Sequence, residues 1–217
     1  MIRLLQTAYP NHYGAKWKDV YSVRFEHTDL ASFSIKDNKP AIIQKEENDA
    51  VSLYVNPERK NITIVDWEAY VNQYSNALYA GEGKKCDFLV YDDRRDKFIL
   101  DELTYSQEKY IIGIGNRIGK RIKARIQLSD SINKLCSVPE IQNYVSTFER
   151  RIALFSYRIV ESSDDDIMAA SMAAFSAPTK LLGNIEEETP SMPHGSMTLS
   201  HQLQQLVYQG FRHNTIL

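Results

Sequence analysis

The chain has 217 residues, of which 43% are hydrophobic and 25% are charged, and its formal net charge is -2. These values are typical of a globular protein with a sizeable core, and they argue against an intrinsically disordered chain. A net charge so close to zero favours neither nucleic acid nor a membrane surface, so any case for a nucleic-acid partner must rest on local charge.

The cysteine pattern and the hydropathy exclude several classes of protein. Cys86 and Cys136 lie far apart without a CxxC pair, which excludes a cysteine-cluster zinc site and gives no basis for a disulfide framework. Residues 1–19 contain a short apolar run followed by polar residues and do not resemble a signal peptide. No window approaches the roughly 18 apolar residues that a membrane span requires. We therefore expect a cytoplasmic protein with no membrane contact.

The first part of the chain predicts a β-rich extension. Residues 1–38 show no clear period. The segments 41–45, 50–55 and 61–65 are short runs of β-branched and aromatic residues, and a turn-forming segment separates the second from the third. The pattern predicts a small antiparallel meander within an N-terminal extension that covers residues 1–61.

Residues 62–160 predict an α/β core. A helix is expected over 67–79, with Asp66 as its N-cap and Gly81 at its end, because apolar residues recur there at helical spacing. Two strands with a turn between them are predicted near 85–91 and 98–104.

A long helical segment then runs from Gln107 to about Cys136. Its apolar face is predicted from the aliphatic pattern, with one serine included: Ile118, Ile122, Ile126, Ser129, Ile132 and Leu135. Pro139 marks the first turn of another helix, and a strand over 152–160 closes the core.

Residues 161–217 form the predicted C-terminal tail. An acidic break is followed by a short helix over 167–175, a linker-like segment over 189–197 and an amphipathic helix over 199–209. The last helix has Leu199, Leu203, Leu206 and Val207 on one face and needs a surface to bury against, because an isolated helix this short is marginal in water. We expect it to dock on a protein partner, on a second copy of the chain, or back on its own domain.

The order helix–strand–turn–strand–helix–helix–strand surrounds the stretch KKCDFLVYDDRRDKFILDELT. This arrangement resembles the PD-(D/E)xK, or restriction-endonuclease-like, nuclease superfamily, in which one strand carries an Asp and its hairpin neighbour carries an E-x-K tripeptide. Asp87 matches the first position and Glu102 the acidic residue of the second, whereas Thr104 stands in place of the lysine. The resemblance covers about half of the chain and implies a mixed central sheet flanked by helices.

The resemblance also implies a metal site. Mg²⁺ held by carboxylates neutralises a phosphate and makes a water nucleophilic, so Asp87 and Glu102 are the candidate ligands, with Glu68 of the preceding helix as a further one. Side chains alternate between the faces of a strand, which places Thr104 on the face of Glu102 and Asp101 on the opposite face unless a bulge exchanges the roles of the two acids.

The missing lysine has two candidate replacements. Lys85 precedes Asp87 by two residues on the same strand face, and Lys109 begins the following helical segment. Lys85 is preferred as the catalytic cation.

The stretch 109–129 contains no acidic residue and is strongly basic. Its cations are Lys109, Arg117, Lys120, Arg121, Lys123 and Arg125. Spread along a helix, they would form a strip that attracts phosphate backbones, although a solvated helix face is the simpler alternative. Gln127 resembles the glutamine that some nucleases of the superfamily carry on this helix, but a plain polar surface residue is the preferred interpretation.

Two other patterns carry no chemistry. The segment 113–120 looks like a phosphate loop, but Ile114 occupies a required glycine position and Arg121 follows Lys120 in place of Ser or Thr. The histidines lack the spacing of metal ligands: they are His12, His27, His194, His201 and His213.

The sequence thus predicts a Mg²⁺-dependent nuclease that hydrolyses phosphodiester bonds in DNA or RNA, in a setting such as phage defence or a mobile element. The alternative is a catalytically inactive nuclease-fold subunit or an interaction module for nucleic acid or protein, which the threonine at position 104 and the tail would favour.

Overall fold

The computed structural model describes residues 1–13, 22–36, 43–44, 52–74, 85–106, 110–111, 119–159, 185–191 and 194–199. The described helices are α1 (Ile2–Gln6), α2 (Ala8–Tyr13), α3 (Trp67–Asn72), α4 (Lys120–Cys136) and α5 (Pro139–Ser146). The described strands are β1 (Phe25–Thr28), β2 (Ser32–Ile35), β3 (Ile43–Gln44), β4 (Ser52–Val55), β5 (Ile62–Asp66), β6 (Phe88–Asp92), β7 (Lys97–Ser106), β8 (Arg150–Ile159), β9 (Ile185–Ser191) and β10 (His194–Leu199). No helix in these ranges is long and apolar enough to cross a membrane.

A mixed sheet forms the core of an α/β fold, as predicted. Five strands follow the order β1-β5-β6-β7-β8, and β9 and β10 extend the sheet beyond β8. Strands β5, β6 and β7 pair antiparallel, whereas β8 runs parallel to β7 because α4 and α5 carry the chain back between them. The predicted strands near 86–91, 98–104 and 152–159 therefore share one sheet.

Different layers cover the two faces of this sheet. Leu89 and Leu100 pack with residues of all the described helices in one hydrophobic cluster. Val90 and Ile99, their neighbours in sequence, pack with Phe33 and other residues of the small sheet in a second cluster. Because successive strand residues point to opposite faces, consecutive residues of β7 belong to different layers.

The predicted meander is wrong in its pairing. Strands β3, β2 and β4 form a three-stranded sheet in that order, so the unpredicted strand β2 separates the two predicted ones. Strand β5, which was predicted to belong to the meander, pairs instead with β1 and β6 in the central sheet. All five of its residues are buried, as expected for a strand that is covered on both faces. Strand β1 precedes the predicted boundary at residue 62 and yet joins the core sheet.

The two helices next to the predicted site differ in how well the sequence described them. Asp66 caps α3 as predicted, by accepting a hydrogen bond from the Ala69 amide at 2.9 Å. The predicted apolar face of α4 is wrong at Ile122 and Ile126, which are exposed. The buried stripe instead includes the small residues Ala124 and Ser131, which allow close packing but escape a search for large aliphatic residues.

The C-terminal segment that resembled a linker is a hairpin in the structure. Strand β10 pairs antiparallel with β8 and β9 pairs with β10. Pro190 lies in the edge strand β9, where the missing amide proton does not interrupt the sheet, so its presence was a misleading sign of a linker. The helices predicted over 167–175 and, beyond Leu199, over 200–209 lie outside the described residues.

A buried polar cluster joins the two sheets. Asp101 is fully buried on the small-sheet side of β7, where its carboxylate accepts hydrogen bonds from Ser52 at 2.9 Å, Tyr54 at 2.6 Å and Ser156 at 2.7 Å. Burial raises the pKa of Asp101 to about 6, although the three hydroxyl donors oppose the shift. Asp101 thus lies on the face opposite Glu102, as strand alternation predicted.

Replacing Tyr54 by phenylalanine should destabilise the protein by about 2 kcal/mol, because a hydroxyl that donates to a buried carboxylate contributes roughly 1.5–3 kcal/mol. Urea unfolding at neutral pH measures the loss. Tyr105→Phe, at a side chain that is 61% exposed, serves as the control and should change stability by less than about 0.5 kcal/mol. Equal stability of the two variants would contradict the importance of the cluster.

Candidate functional site

Asp87 lies where three elements meet. Its amide donates to the Asp101 carbonyl at 3.1 Å, which continues the β6–β7 pairing by one residue. Its carbonyl accepts from the amides of Trp67 and Glu68 at 2.9 and 3.1 Å, so the first turn of α3 is fixed against it. Its carboxylate Oδ2 accepts from the Leu103 amide at 2.5 Å. The backbone of α3 and the hairpin therefore bring Glu68, Asp87 and Glu102 to one place.

Glu102 carries the most unfavourable environment of these acids. Its side chain is 7% exposed, on the helical side of the sheet. Burial raises the pKa of Glu102 far above its ordinary value, and the nearby charges of Asp87, Glu68 and Asp101 raise it further, whereas a hydrogen bond from Gln127 opposes the shift. Its Oε2 atom is buried without a hydrogen-bond partner among the described residues. Such an atom is costly unless a proton, a donor or a cation satisfies it.

The donor set fits a hard divalent cation. Within the described ranges, no group of three or more His, Cys, Asp or Glu side chains forms a ready cage for a metal. Mg²⁺ does not require one, because it commonly uses one or two carboxylates and completes its octahedron with waters and substrate phosphate oxygens. The oxygens of Asp87 and Glu102 are the natural ligands, and the buried Oε2 of Glu102 is the atom that a cation would satisfy. Glu68 is near enough to add negative charge.

Neither cation proposed to replace the motif lysine is shown at the carboxylates. The ammonium group of Lys85 donates to Oδ1 of Asn72, at the end of α3 and one turn beyond Glu68. The backbone carbonyl of Lys85 accepts from Nε2 of Gln127 at 2.9 Å. Lys109 lies outside the described residues. The role of Lys85 therefore remains a prediction.

Gln127 is more than the plain surface residue that the sequence favoured. Its side chain is partly buried and donates to the Lys85 carbonyl, and it also opposes the rise in the pKa of Glu102. It therefore connects α4 to the segment that enters β6 and acts on the Glu102 carboxyl. The sequence did place Gln127 next to the buried residues Ala124 and Leu128 of α4. Its hydrogen-bond partner, the Lys85 carbonyl, is distant in sequence and could be identified only from the structure.

Four of the predicted basic residues lie on the first turns of α4. Lys120 and Lys123 are exposed, and Arg121 and Arg125 are partly buried. Burial and the neighbouring charge of Arg121 lower the pKa of Arg125, so positive charge is concentrated here. Arg117, like Lys109, lies outside the described residues.

No protein-family model, curated protein or solved structure matches this chain. The site must therefore be interpreted from its own chemistry.

Mn²⁺ or Mg²⁺ should raise the thermal unfolding temperature, since a ligand at 100 times its Kd stabilises the native state by about 2.7 kcal/mol. Asp87→Asn should abolish the shift while retaining the fold, because asparagine keeps an oxygen for the Leu103 amide. Asp93→Asn, at an exposed turn position beyond β6, should retain the full shift. Scanning calorimetry with and without metal measures these effects, and equal shifts in both variants would place the metal elsewhere.

Proposed function

We propose that the chain is a metal-dependent nuclease of restriction-endonuclease-like fold that hydrolyses phosphodiester bonds in DNA or RNA. The observation that carries the proposal is the buried Glu102 carboxyl beside Asp87 and Glu68, with an oxygen that has no hydrogen-bond partner in the part of the chain that the structure describes. Two acids on neighbouring strands of a hairpin, followed by helices and a parallel strand, are also the arrangement on which the sequence resemblance rests.

The chemistry assigns a role to each side chain. A bound Mg²⁺ supplies charge neutralisation at the phosphate and a more acidic water. Asp87 and Glu102 hold the cation, and Glu68 contributes negative charge that orients the water. Thr104, on the face of Glu102, can donate a hydrogen bond to the substrate but brings no positive charge. Lys85 would first have to break its hydrogen bond to Asn72, and it would then stabilise the negative charge that develops on the phosphate.

The basic first half of α4 supports a polyanionic substrate. Gln127 ties this helix to the Lys85 carbonyl, two residues before Asp87, and the residues before it on the same helix are predominantly cationic. A polyanion bound along Lys120 and Lys123 would lead toward the carboxylates, where hydrolysis would take place.

A catalytically inactive subunit of the same fold is the second candidate. The threonine at position 104 and the bond between Lys85 and Asn72 favour it, because neither residue brings a positive charge to the carboxylates. Phage defence and mobile elements are the proposed settings for either candidate.

Purified protein should cleave DNA or RNA with Mg²⁺ or Mn²⁺ and should be inactive with a chelator. Asp87→Asn should abolish cleavage by removing one ligand charge, and Asp93→Asn should cleave at the wild-type rate. Lys85→Ala should slow cleavage by roughly 100-fold, the lower range for loss of a catalytic group. Absence of cleavage from a panel of single- and double-stranded DNA and RNA, in a protein that still binds them, would establish the inactive candidate.

Reversing Lys120 and Lys123 to glutamate should weaken nucleic-acid binding and flatten its salt dependence, because each lost phosphate contact lowers the slope of log K against log salt by about one unit. A titration across salt concentrations with chelator present measures this. Lys134→Glu, a single charge reversal near the far end of α4, is the control and should affect the slope much less than either Lys120→Glu or Lys123→Glu alone. An unchanged slope in the double variant would identify the lysines as a solvated helix face.

A further inference from the structure

The first turns of α4 expose apolar as well as basic side chains. Ile122 and Ile126 are 37% and 39% exposed, and because they are four residues apart they lie on the same side of the helix. Lys120 and Lys123 are exposed on the same turns. We call these four residues the Ile–Lys surface. Its two isoleucines lie on the side of the helix opposite the buried stripe that contains Ala124 and Leu128.

The Ile–Lys surface adjoins the carboxylate site. Lys123 connects the two regions, because Ile126 and Gln127 lie three and four residues after it and both neighbour it on the helix surface. The Gln127 amide donates to the Lys85 carbonyl at 2.9 Å, two residues before Asp87. A phosphate bound at Lys123 would therefore place its own base, or that of the next nucleotide, within reach of Ile126.

The charge of α4 selects an anionic occupant. Residues 109–129 include no acid, and the positive charges of Arg121 and Arg125 act on each other along the flank of the surface. Isoleucine cannot hydrogen-bond to a phosphate or to the polar edge of a base. Its burial against another apolar surface is favourable. A nucleic acid offers such a surface at the faces of its bases when the bases are not stacked within a duplex.

The burial of the acids points the same way. Asp87 and Glu102 are only 9% and 7% exposed. A flexible single strand can bring a phosphate to such recessed side chains more readily than a stiff duplex, which would have to distort to do so.

We propose that the Ile–Lys surface binds unpaired bases, so that the substrate of the nuclease site is single-stranded or locally unpaired DNA or RNA. The placement of the cleaved phosphate rests on the proposed function, whereas the binding of unpaired bases does not require cleavage.

Binding without cleavage tests the proposal directly. Fluorescence anisotropy in the presence of a chelator would compare three labelled probes: a strand of about 20 nucleotides, the blunt duplex of the same sequence, and an abasic strand of the same length. This length exceeds the roughly 4–16 nucleotides that one single-strand binding fold covers. The wild-type protein should bind the strand about tenfold more tightly than either the duplex or the abasic strand, because burial of an unpaired base against the isoleucines adds to the phosphate contacts that all three probes offer.

The double variant Ile122→Ser, Ile126→Ser should lose about tenfold in affinity for the strand with an unchanged salt slope, since it removes apolar contact and no charge. It should bind the abasic strand as the wild type does. Val55→Ser, at a side chain that is 48% exposed on β4, is the matched control and should bind all three probes normally.

The other outcomes overturn the proposal in distinguishable ways. Equal or tighter binding of the duplex, or an equal loss for the abasic strand, would exclude recognition of unpaired bases. Conversion of a dimer to a monomer by the double isoleucine variant, measured by light scattering, would assign the surface to a second copy of the chain. Base-dependent binding without metal-dependent cleavage would reject the hydrolytic function alone, and binding of no nucleic acid would reject both.

Discussion

Two adjacent buried acids on β7 are the constraint on which the rest of the structure depends. Asp101 and Glu102 are 0% and 7% exposed, and strand alternation sends them to opposite faces of the central sheet. A buried carboxylate is expensive unless it is hydrogen-bonded or paired with a cation. The two acids differ in how far the layer that covers each of them satisfies its carboxylate. Ser52 and Tyr54 of β4 and Ser156 of β8 satisfy Asp101, whereas an oxygen of Glu102 has no partner within the described residues.

The contrast separates a structural acid from a candidate functional one. Hydroxyl donors oppose the rise in the pKa of Asp101, which burial takes to about 6, and they tie the small sheet to the core. Around Glu102 the neighbouring groups are mainly other acids, Asp87 and Glu68, which raise its pKa further. A fold selected for stability alone would gain by replacing such a carboxyl with an apolar side chain. Its presence beside two other acids therefore supports the proposed cation site.

The sequence predicted the parts of this arrangement that follow from local pattern. Alternation on β7 placed Asp101 and Glu102 on opposite faces, and the capping chemistry of Asp66 placed the start of α3. It could not predict features that depend on pairing between distant segments. The short strand β2 lies between β3 and β4, although nothing near Ser32 or Ser34 in the sequence indicates its neighbours. The hairpin at 185–199 resembled a linker because the open edge of β8, which pairs with it, is not visible in the local sequence.

The candidate site shows the same limit, because backbone contacts hold much of it together. The motif acids could be found from their spacing in the sequence. The position of Gln127, in contrast, depends on a hydrogen bond to the backbone carbonyl of Lys85, and any residue at position 85 would supply that carbonyl. In the same way the Asp87 carboxylate is held by the amide of Leu103. Backbone groups leave no trace in composition, so a search for charged partners could not find these contacts. They make the position of the acids insensitive to nearby side chains, including the threonine at position 104. For the proposed function, the decisive property is therefore whether a cation and a phosphate bind between Asp87, Glu102 and α4.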